Sequence, residues 1–413
     1  MRSKKAFSAG KPTFVLFMTL LLTSAVVPIQ SQAQKFKVLH TFHGPNGSDP
    51  FGKLVRDQAG NLYGTTEGGG KGMCYSGYTC GTAFKLDKTG KQVWLHNFNL
   101  KNGMDPLAGL LRDAEGNLYG TTTLGGDTTC YKLGCGTVFK LDQNGKEKLL
   151  YRFRGTPDGF EPVTPLLGDR AGNLYGTTLV GGNAGGLGTV FKINGTGRET
   201  VLYSFAGGTD GDGPSGGLVR DAAGNLYGTT SQGGGSGCSF GCGTVFKVDA
   251  SGVETVFYRF QGGADGADPG GRLLLDAAGT LYGITAQGGD SSCGQGCGTV
   301  FKLDSSGHET VLYRFTGGTD GQGPAAGLVR DKAGDLYGTT IKGGGSTDAG
   351  VVFKLDTAGT ETVLYTFTGG FDGAAPKELL RDKQGNLYGV ATGGGDKTCN
   401  PPDGCGVVFT LTP

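Results

Sequence analysis

Features that mark several common protein classes are scarce in this chain of 413 residues. Beyond the N-terminal segment, no stretch repeats apolar residues with the helical period, which argues against a helical or mixed α/β fold. Lysine and arginine total 37 and aspartate and glutamate total 36, so no excess of one charge favours nucleic acid or an anionic membrane surface as a partner.

Motifs of catalysis are missing as well. The chain has no Gly-x-Ser-x-Gly elbow, no zinc-protease helix motif and no phosphate-binding loop. We therefore expect no cofactor, and the sequence assigns no catalytic residue. A binding protein is favoured over an enzyme.

The one long apolar run lies at the N-terminus. A basic segment over residues 2–11 precedes an apolar run over 13–27, and Ser31-Gln32-Ala33 is typical of a signal-peptidase site. Because the run is short for a membrane span, we predict a signal peptide over 1–33 and a mature domain over 34–413. An uncleaved N-terminal anchor is the alternative. No hydrophobic tail follows the last repeat, so we expect no membrane span after signal removal.

Glycine is abundant, at 84 residues, and lies in clusters between short runs rich in Val, Leu, Phe, Tyr and Thr. Such runs are typical of β-strands. A unit resembling Asn-Leu-Tyr-Gly recurs at intervals of 51 to 56 residues, with its tyrosines at Tyr63, Tyr119, Tyr175, Tyr227, Tyr282, Tyr337 and Tyr388. Seven tandem repeats are therefore predicted.

The fourth repeat shows four strands, over 217–221, 226–230, 243–249 and 255–260. Its third and fourth strands carry apolar side chains on both faces, as expected for a sheet stacked between neighbouring sheets. Gly228 in the second strand would let a bulky residue of the next sheet approach closely.

The first and last strands indicate how the repeats close. The chain begins with a fourth strand over 36–42 and ends with a third strand over 406–411. We predict an all-β, seven-bladed β-propeller of four-stranded antiparallel blades, closed by the N-terminal strand completing the last blade. An open β-solenoid is the alternative, but it would need polar capping repeats.

The connections define two faces. Short turns such as 57–61 join the first strand to the second, whereas long loops join the second to the third and each blade to the next. Because both long connections emerge on one side of the ring, that side is the candidate binding surface.

Each blade-to-blade loop contains [Asn/Asp]-Gly-x-x-Pro. The favoured interpretation of this pattern is a turn. An acid stands just before the proline in four copies: Asp49, Asp105, Glu161 and Asp268. These acids are candidate ligand-binding residues. A bound Ca²⁺ is an alternative role, but no chelating loop is complete and we predict no metal site.

One repeat position holds arginine in most copies: Arg56, Arg112, Arg220, Arg330 and Arg381. Pairing with the aspartate of a neighbouring turn explains these arginines. A basic lining of the central channel is the alternative.

The ten cysteines form five close pairs: Cys74/Cys80, Cys130/Cys135, Cys238/Cys242, Cys293/Cys297 and Cys399/Cys405. Each pair lies in the second-to-third loop of its repeat, and two repeats lack both cysteines. With an export signal, this pattern predicts five local disulfides, whose main effect would be to stiffen glycine-rich loops that have no other packing. Zinc binding is the alternative, although each pair supplies only two thiolates and a structural zinc site needs four ligands.

Of the four histidines, only His43 lies in a long loop of the candidate face, and no acid or nucleophile partner is evident in the sequence. We include it among the candidate ligand-binding residues. His40 and His96 replace an outer-strand tyrosine and are expected to be structural.

The segments 217–230 and 243–249, GLVRDAAGNLYGTT and GTVFKVD, resemble the GloVer repeat of exported "choice-of-anchor" bacterial proteins, which is similar in rhythm to NHL-type propeller repeats. The resemblance spans nearly the whole mature chain. It implies a secreted or cell-surface location, and it brings no assigned activity.

The sequence thus favours an exported protein, whether extracellular, periplasmic or on the cell surface, that acts as a monomeric binding or scaffold module. Its partner would be an extracellular glycan or protein on the long-loop face. A propeller-type lyase or hydrolase at the mouth of the channel is one alternative, and a purely structural envelope protein is another.

Overall fold

The structure, a computed structural model, describes Gly10 and residues 34–413, without Gly72, Ser76, Thr129, Tyr131, Ala184 and Ala325. The predicted signal peptide therefore lies outside the described residues, apart from Gly10. Within the described part of the chain, no helical segment has the length and apolar character that a membrane crossing needs.

Each repeat forms a blade of four antiparallel strands, which we number from the central channel outward as inner, second, third and outer. The second strands are Leu62–Gly68, Leu118–Thr122, Leu174–Thr178, Leu226–Gln232, Leu281–Gln287, Leu336–Lys342 and Leu387–Gly393. The third strands are Thr82–Leu86, Thr137–Leu141, Thr189–Ile193, Thr244–Val248, Thr299–Leu303, Val351–Leu355 and Val407–Thr412. The outer strands are Gln92–Asn97, Glu147–Arg152, Glu199–Ser204, Glu254–Arg259, Glu309–Arg314, Glu361–Thr366 and, in the last blade, Lys35–Thr41.

The inner strands are the least regular. Four blades have two short pieces, namely Ser48–Pro50 and Val55–Arg56, Asp212–Pro214 and Val219–Arg220, Gln322–Pro324 and Val329–Arg330, and Ala374–Pro376 and Leu380–Arg381. The fifth blade has one strand, Ala267–Leu275, after a 3₁₀ turn at Gly263–Asp265, and the second and third blades keep only Leu111–Arg112 and Leu167–Gly168. Because the two pieces pair with opposite ends of the second strand, the inner strand runs from the long loops to the short turns.

The predicted fold, an all-β propeller of seven blades, is confirmed. So is the predicted closure, since Lys35–Thr41 pairs antiparallel with Val407–Thr412, with Phe36 opposite Leu411 and Thr41 opposite Val407. We call the side with the short turns the turn face and the side with the long connections the loop face.

The core lies between blades. A phenylalanine following each outer strand packs its ring edge against a third-strand phenylalanine of the next blade, with ring centroids 4.9 to 5.2 Å apart. The seven pairs are Phe42–Phe84, Phe98–Phe139, Phe153–Phe191, Phe205–Phe246, Phe260–Phe301, Phe315–Phe353 and Phe367–Phe409. The series is continuous across the junction of the last and first blades, so burial of aromatic surface stabilises the closed ring.

The interpretation of Gly228 needs correction. Its backbone lies opposite Phe246 in the same blade, and a Cβ at Gly228 would overlap the Phe246 ring and crowd Leu218, also of that blade. The close contact is therefore between neighbouring strands of one blade, and the next blade does not make it. A glycine in this position gives the phenylalanine ring room to lie over the second strand.

The turn face is held by a repeated aspartate. In the fourth blade, Asp221 accepts hydrogen bonds from the backbone N–H and the side-chain amide of Asn225, at 2.8 and 2.7 Å, and from the Tyr227 hydroxyl at 3.2 Å. Partial burial acts to raise the pKa of Asp221, but these hydrogen bonds hold it below its ordinary value. This carboxylate stabilises the turn.

The repeated arginines link neighbouring blades at this face. Arg330 lies 3.1 Å from Asp276, and Arg220 and Arg381 make longer ion pairs with Asp169 and Asp331. In each of these pairs the aspartate belongs to the turn of the preceding blade. The expected pairing with a neighbouring turn is therefore observed for these three arginines.

A second repeated arrangement lies at the junctions of the outer strands. Tyr313 donates a hydrogen bond to Asp320 of the following loop at 3.0 Å, and Glu361 of the next outer strand lies close by. Burial, together with Asp320, raises the pKa of Glu361 to about 7. Burial together with an aspartate gives the same value at Glu199, Glu254 and Glu309. In the corresponding place of the first junction, His40 lies 3.2 Å from the amide of Asn46, which agrees with a structural role.

Candidate binding site on the loop face

The loops of this face are tied by disulfides. All five predicted pairs are bonded, with Cα atoms 5.2 to 5.8 Å apart, and no described cysteine is free. Each bond closes a ring of only a few residues, which holds a glycine-rich loop in place. The second cysteine of each pair is buried, namely Cys80, Cys135, Cys242, Cys297 and Cys405.

The expectation that these loops have no other packing needs correction. Cys297 is fully buried and belongs to the hydrophobic core between the fifth and sixth blades, together with Phe315 and Leu328. Its sulfur also lies 3.3 Å from the Ser292 hydroxyl. Because a buried sulfur behaves as a small hydrophobic group, the disulfide joins the glycine-rich loop to the core. Cys297 therefore has a structural role and is not available to a ligand.

The second cysteine also positions the next blade. The carbonyl of Cys80 accepts a hydrogen bond from the backbone N–H of Asp105 at 3.1 Å, and that of Cys405 accepts one from Asp49 at 3.1 Å. The same bond, at 2.9 to 3.1 Å, joins Cys135 to Glu161, Cys242 to Asp268 and, where glycine holds the position, Cys297 to Gly323. Each candidate acid is therefore anchored by its backbone to the disulfide loop of the preceding blade.

All four candidate acids have a left-handed backbone. Their φ angles are 55° for Asp49 and Asp105, 59° for Glu161 and 54° for Asp268. A side chain costs about 1 kcal/mol or more in this region, where glycine is unstrained. Gly213 and Gly323 occupy the same position in other blades, with φ of 62° and 63°. The four acids therefore hold a backbone conformation that glycine adopts with less strain, and Ala375 shows that other residues also occur at this position.

The electrostatics of these acids contrast with those of the turns. Burial raises the pKa of Asp105 to about 7, and the nearby Glu67 contributes to the rise. Burial also raises the pKa of Glu67, with Asp49 adding to it. For Glu161 and Asp268, burial is the only cause of a raised pKa. Among the described residues, no side-chain hydrogen bond or ion pair offsets the burial of the Glu161 and Asp268 carboxylates.

Asp49 and Asp105 line one cavity of about 980 Å³ between the seventh, first and second blades. Glu67 lies in the same wall, as do Tyr75 and Tyr78 of the Cys74–Cys80 loop. The tyrosines are 48% and 69% exposed, so their rings are available to a ligand. The cavity thus joins three carboxylates with two aromatic rings, a combination suited to orienting a small polar ligand.

The other predicted residues lie elsewhere. Glu161 and Asp268 occupy the equivalent position in the third and fifth blades and do not line this cavity. His43 is outside it as well, and its Nδ1 lies 2.7 Å from Asp396, so the absence of an acid partner expected from sequence is wrong. The partner comes from the last disulfide loop, 353 positions along the chain. The pair holds two loops together and leaves the cavity wall to other residues.

Glu67, Tyr75 and Tyr78 are absent from the prediction. A signal for Glu67 exists, because the equivalent position holds Thr123, Leu179, Ser231, Ala286, Ile341 and Thr392 in the other repeats. No such signal exists for the tyrosines, which lie in a loop of variable length. Among the described residues, no group of three or more His, Cys, Asp or Glu side chains is placed to hold a metal ion.

The repeat also decides the family. The model of the Gloeobacter/Verrucomicrobia repeat matches residues 23–240, 72–296 and 292–413. The chain belongs to this family. A comparison with curated proteins finds no match for this repeat protein.

Solved structures share the fold of this Gloeobacter/Verrucomicrobia repeat protein. Virginiamycin B lyase from Staphylococcus aureus is similar with a TM-score of 0.59 and 13% identity, over 92% of this chain and 99% of that one. The extracellular domain of a hybrid two-component system from B. thetaiotaomicron gives a TM-score of 0.54 and 13% identity, over 92% of this chain and 41% of that one. At such identities the likeness concerns the propeller alone.

Proposed function

We propose that this protein is an exported, non-catalytic propeller that binds an extracellular ligand in the loop-face cavity. The observation that carries the proposal is the convergence of Asp49, Glu67 and Asp105 with Tyr75 and Tyr78 around one space. The disulfide-tied loops support it further, because a preordered site loses little conformational entropy on binding.

A glycan is the ligand class that we favour. Carboxylates accept hydrogen bonds from sugar hydroxyl and amine groups, and exposed tyrosine rings pack against the apolar face of a sugar. A protein ligand would instead use the exposed side chains of Phe240 and Phe371, which do not line this cavity and are 77% and 88% exposed.

The test is a screen of the labelled mature protein on an array of neutral, acidic and amino sugars, followed by calorimetric titration of each hit. We expect Asp105→Asn and Tyr78→Ala to weaken binding about tenfold or more. Asp268→Asn is the matched control, because it changes the same repeat position outside the cavity and should leave affinity unchanged.

Three results would overturn the proposal. The first is an array without hits, and the second is an equal loss of affinity in the control. The third is capture of a protein ligand that Phe240→Ser and Phe371→Ser abolish while Tyr78→Ala does not. Each variant is first checked for its melting temperature, so that unfolding is not mistaken for lost binding.

Export is tested separately. Disulfides form and persist in oxidising compartments, so five of them support an exported protein. Fractionation of a bacterial host should find the full chain in the periplasm, at the cell surface or in the medium. A chain without residues 1–33 should stay in the cytoplasm, and its appearance outside would contradict the signal peptide.

One observation favours a second candidate function. The pKa of about 7 at Asp105 would keep this acid partly protonated at neutral pH, beside two further carboxylates, as a general acid requires. If a hit from the array is also cleaved, Asp105→Asn should abolish its turnover, a far larger loss than the roughly tenfold weakening of binding. Intact ligand after prolonged incubation would reject this lyase or hydrolase function.

A further inference from the structure

A second cavity, of about 490 Å³, lies where the inner strands approach the turn face, and we call it the turn-face cavity. Its charged lining residues are Lys53, Arg220, Arg272, Arg330, Arg381 and Glu378. Five cationic groups therefore face one carboxylate, in a protein whose net charge is only +1.

The charges of the turn-face cavity are unequally compensated. Arg330 makes an ion pair at 3.1 Å with a turn aspartate, and Lys53 makes one with Glu378 at 2.8 Å. Arg272 differs, since it has no acidic partner within ion-pair distance among the described residues. A cation that is partly withdrawn from water without a counter-charge attracts an anion.

Arg272 occupies a repeat position at which most other blades have a small, uncharged residue. The equivalent residues in other blades are Gly109, Pro165, Gly217 and Gly327, and only Lys53 and Glu378 are also charged. Here the inner strands approach so closely that a Cβ at Gly217 would crowd Pro165 and Arg272. At this crowded position the fifth blade has a long arginine, and Arg272 lines the turn-face cavity.

We propose that the turn-face cavity binds a small multivalent oxyanion, such as a di- or tricarboxylate or a phosphate ester. Arg272 is the principal ligand, and Arg220, Arg330 and Arg381, which also line the cavity while each pairs with a turn aspartate, add positive charge around it. Arginine suits this role because its planar donors match carboxylate and phosphate oxygens. This site is separate from the loop-face cavity and from the function proposed above.

The test is calorimetric titration of the mature protein at low ionic strength with inorganic pyrophosphate and, separately, with citrate. We expect Arg272→Gln to weaken binding about tenfold, because it removes the one uncompensated charge. Glu378→Gln should tighten binding severalfold, because it removes the competing carboxylate from Lys53. The opposite signs of the two variants exclude a general loss of folding as the cause.

Arg198→Gln is the matched control, since Arg198 is an exposed arginine on a turn of the third blade outside the cavity. It should leave both affinities unchanged, and so should Asp105→Asn in the loop-face cavity. Binding of pyrophosphate alone would identify a phosphate ligand, and binding of citrate alone a carboxylate ligand. Failure of both anions to bind, or equal losses in Arg272→Gln and Arg198→Gln, would overturn the proposal without affecting the loop-face function.

Discussion

The two faces of this propeller use repeated carboxylates in opposite ways. On the turn face, Asp221 accepts three hydrogen bonds and its pKa is held below the ordinary value. On the loop face, Asp105 and Asp268 are partly buried and have raised pKa values. The first arrangement stabilises the fold, whereas the second costs stability because these carboxylates have no side-chain hydrogen bond among the described residues.

Both kinds of carboxylate recur at fixed positions in the repeat, so recurrence alone does not separate structural from functional acids. The hydrogen-bond partners do. A carboxylate whose hydrogen bonds are already made within its own turn has few acceptor sites left for a ligand. A carboxylate that is withdrawn from water without hydrogen-bond partners still has unsatisfied acceptor sites. The following changes act on one face at a time.

Reduction of the five disulfides should have the largest effect, and it should be confined to the loop face. Each bond contributes about 2 kcal/mol by the entropy of loop closure. Hydrogen exchange after reduction should rise in the loops around Cys74–Cys80 and Cys399–Cys405, while the turn at 221–225 stays protected. An equal rise on both faces would show that the disulfides support the whole ring.

Asp221→Ala should be a damaging single change on the turn face. It removes an acceptor of three hydrogen bonds, and we expect a loss of about 2 kcal/mol in the free energy of unfolding, after allowance for partial exposure. Chemical denaturation gives the value. A loss near zero would mean that water replaces the carboxylate without cost, which would weaken the contrast between the faces.

Much of the fold could be predicted because the repeats are visible in the sequence. Seven copies of one unit determine the number of blades. The chain begins with a fourth strand and ends with a third strand, and this order indicates how the ring closes. Cysteines that occur as pairs or not at all predict their own partners, although the burial of Cys297 in the core between blades depends on the stacking of whole repeats. The error at Gly228 arose because sequence alone does not tell a contact across the sheet from one between blades.

The site was less predictable because it depends on contacts between distant segments. The acids before proline were found as a set, yet only Asp49 and Asp105 share the cavity, together with Glu67. Tyr75 and Tyr78 join them from the Cys74–Cys80 loop. His43 and Asp396, 353 positions apart, meet only because the ring closes between the last and first blades.

Asp268→Gly should act in the opposite direction from Asp221→Ala. Glycine relieves the left-handed backbone of Asp268, φ 54°, and removes a carboxylate that burial disfavours. We expect a gain of about 1 kcal/mol in the free energy of unfolding. The reverse change, Gly213→Asp, should lose a similar amount. A loss of stability in Asp268→Gly would place this acid among the structural carboxylates.

The pH dependence of stability compares the two kinds of carboxylate in one experiment. Asp221 and its equivalents have lowered pKa values, so their contribution is present above the unfolded value of 3.8 and is lost as pH falls. Glu309 and Glu361 change from 4.5 to about 7, so their contribution is present below 4.5 and is lost as pH rises towards 7. We therefore expect a melting temperature that is highest between these windows and falls by a few degrees from pH 5 to pH 8.

Glu309→Gln isolates the smallest of these effects. Glutamine keeps the size of the side chain and cannot ionise, so the variant should lose less stability than the wild type between pH 5 and pH 8. For a domain of this size we expect a difference of roughly 1 to 2 °C in that fall. Asp221→Asn is the control, because its pKa lies below the tested range and its melting temperature should shift equally at both pH values. If the Glu309→Gln curve runs parallel to that of the wild type, the carboxylates at the blade junctions are ionised in the folded protein without cost, and the acids with raised pKa values on the loop face would be the remaining source of the fall.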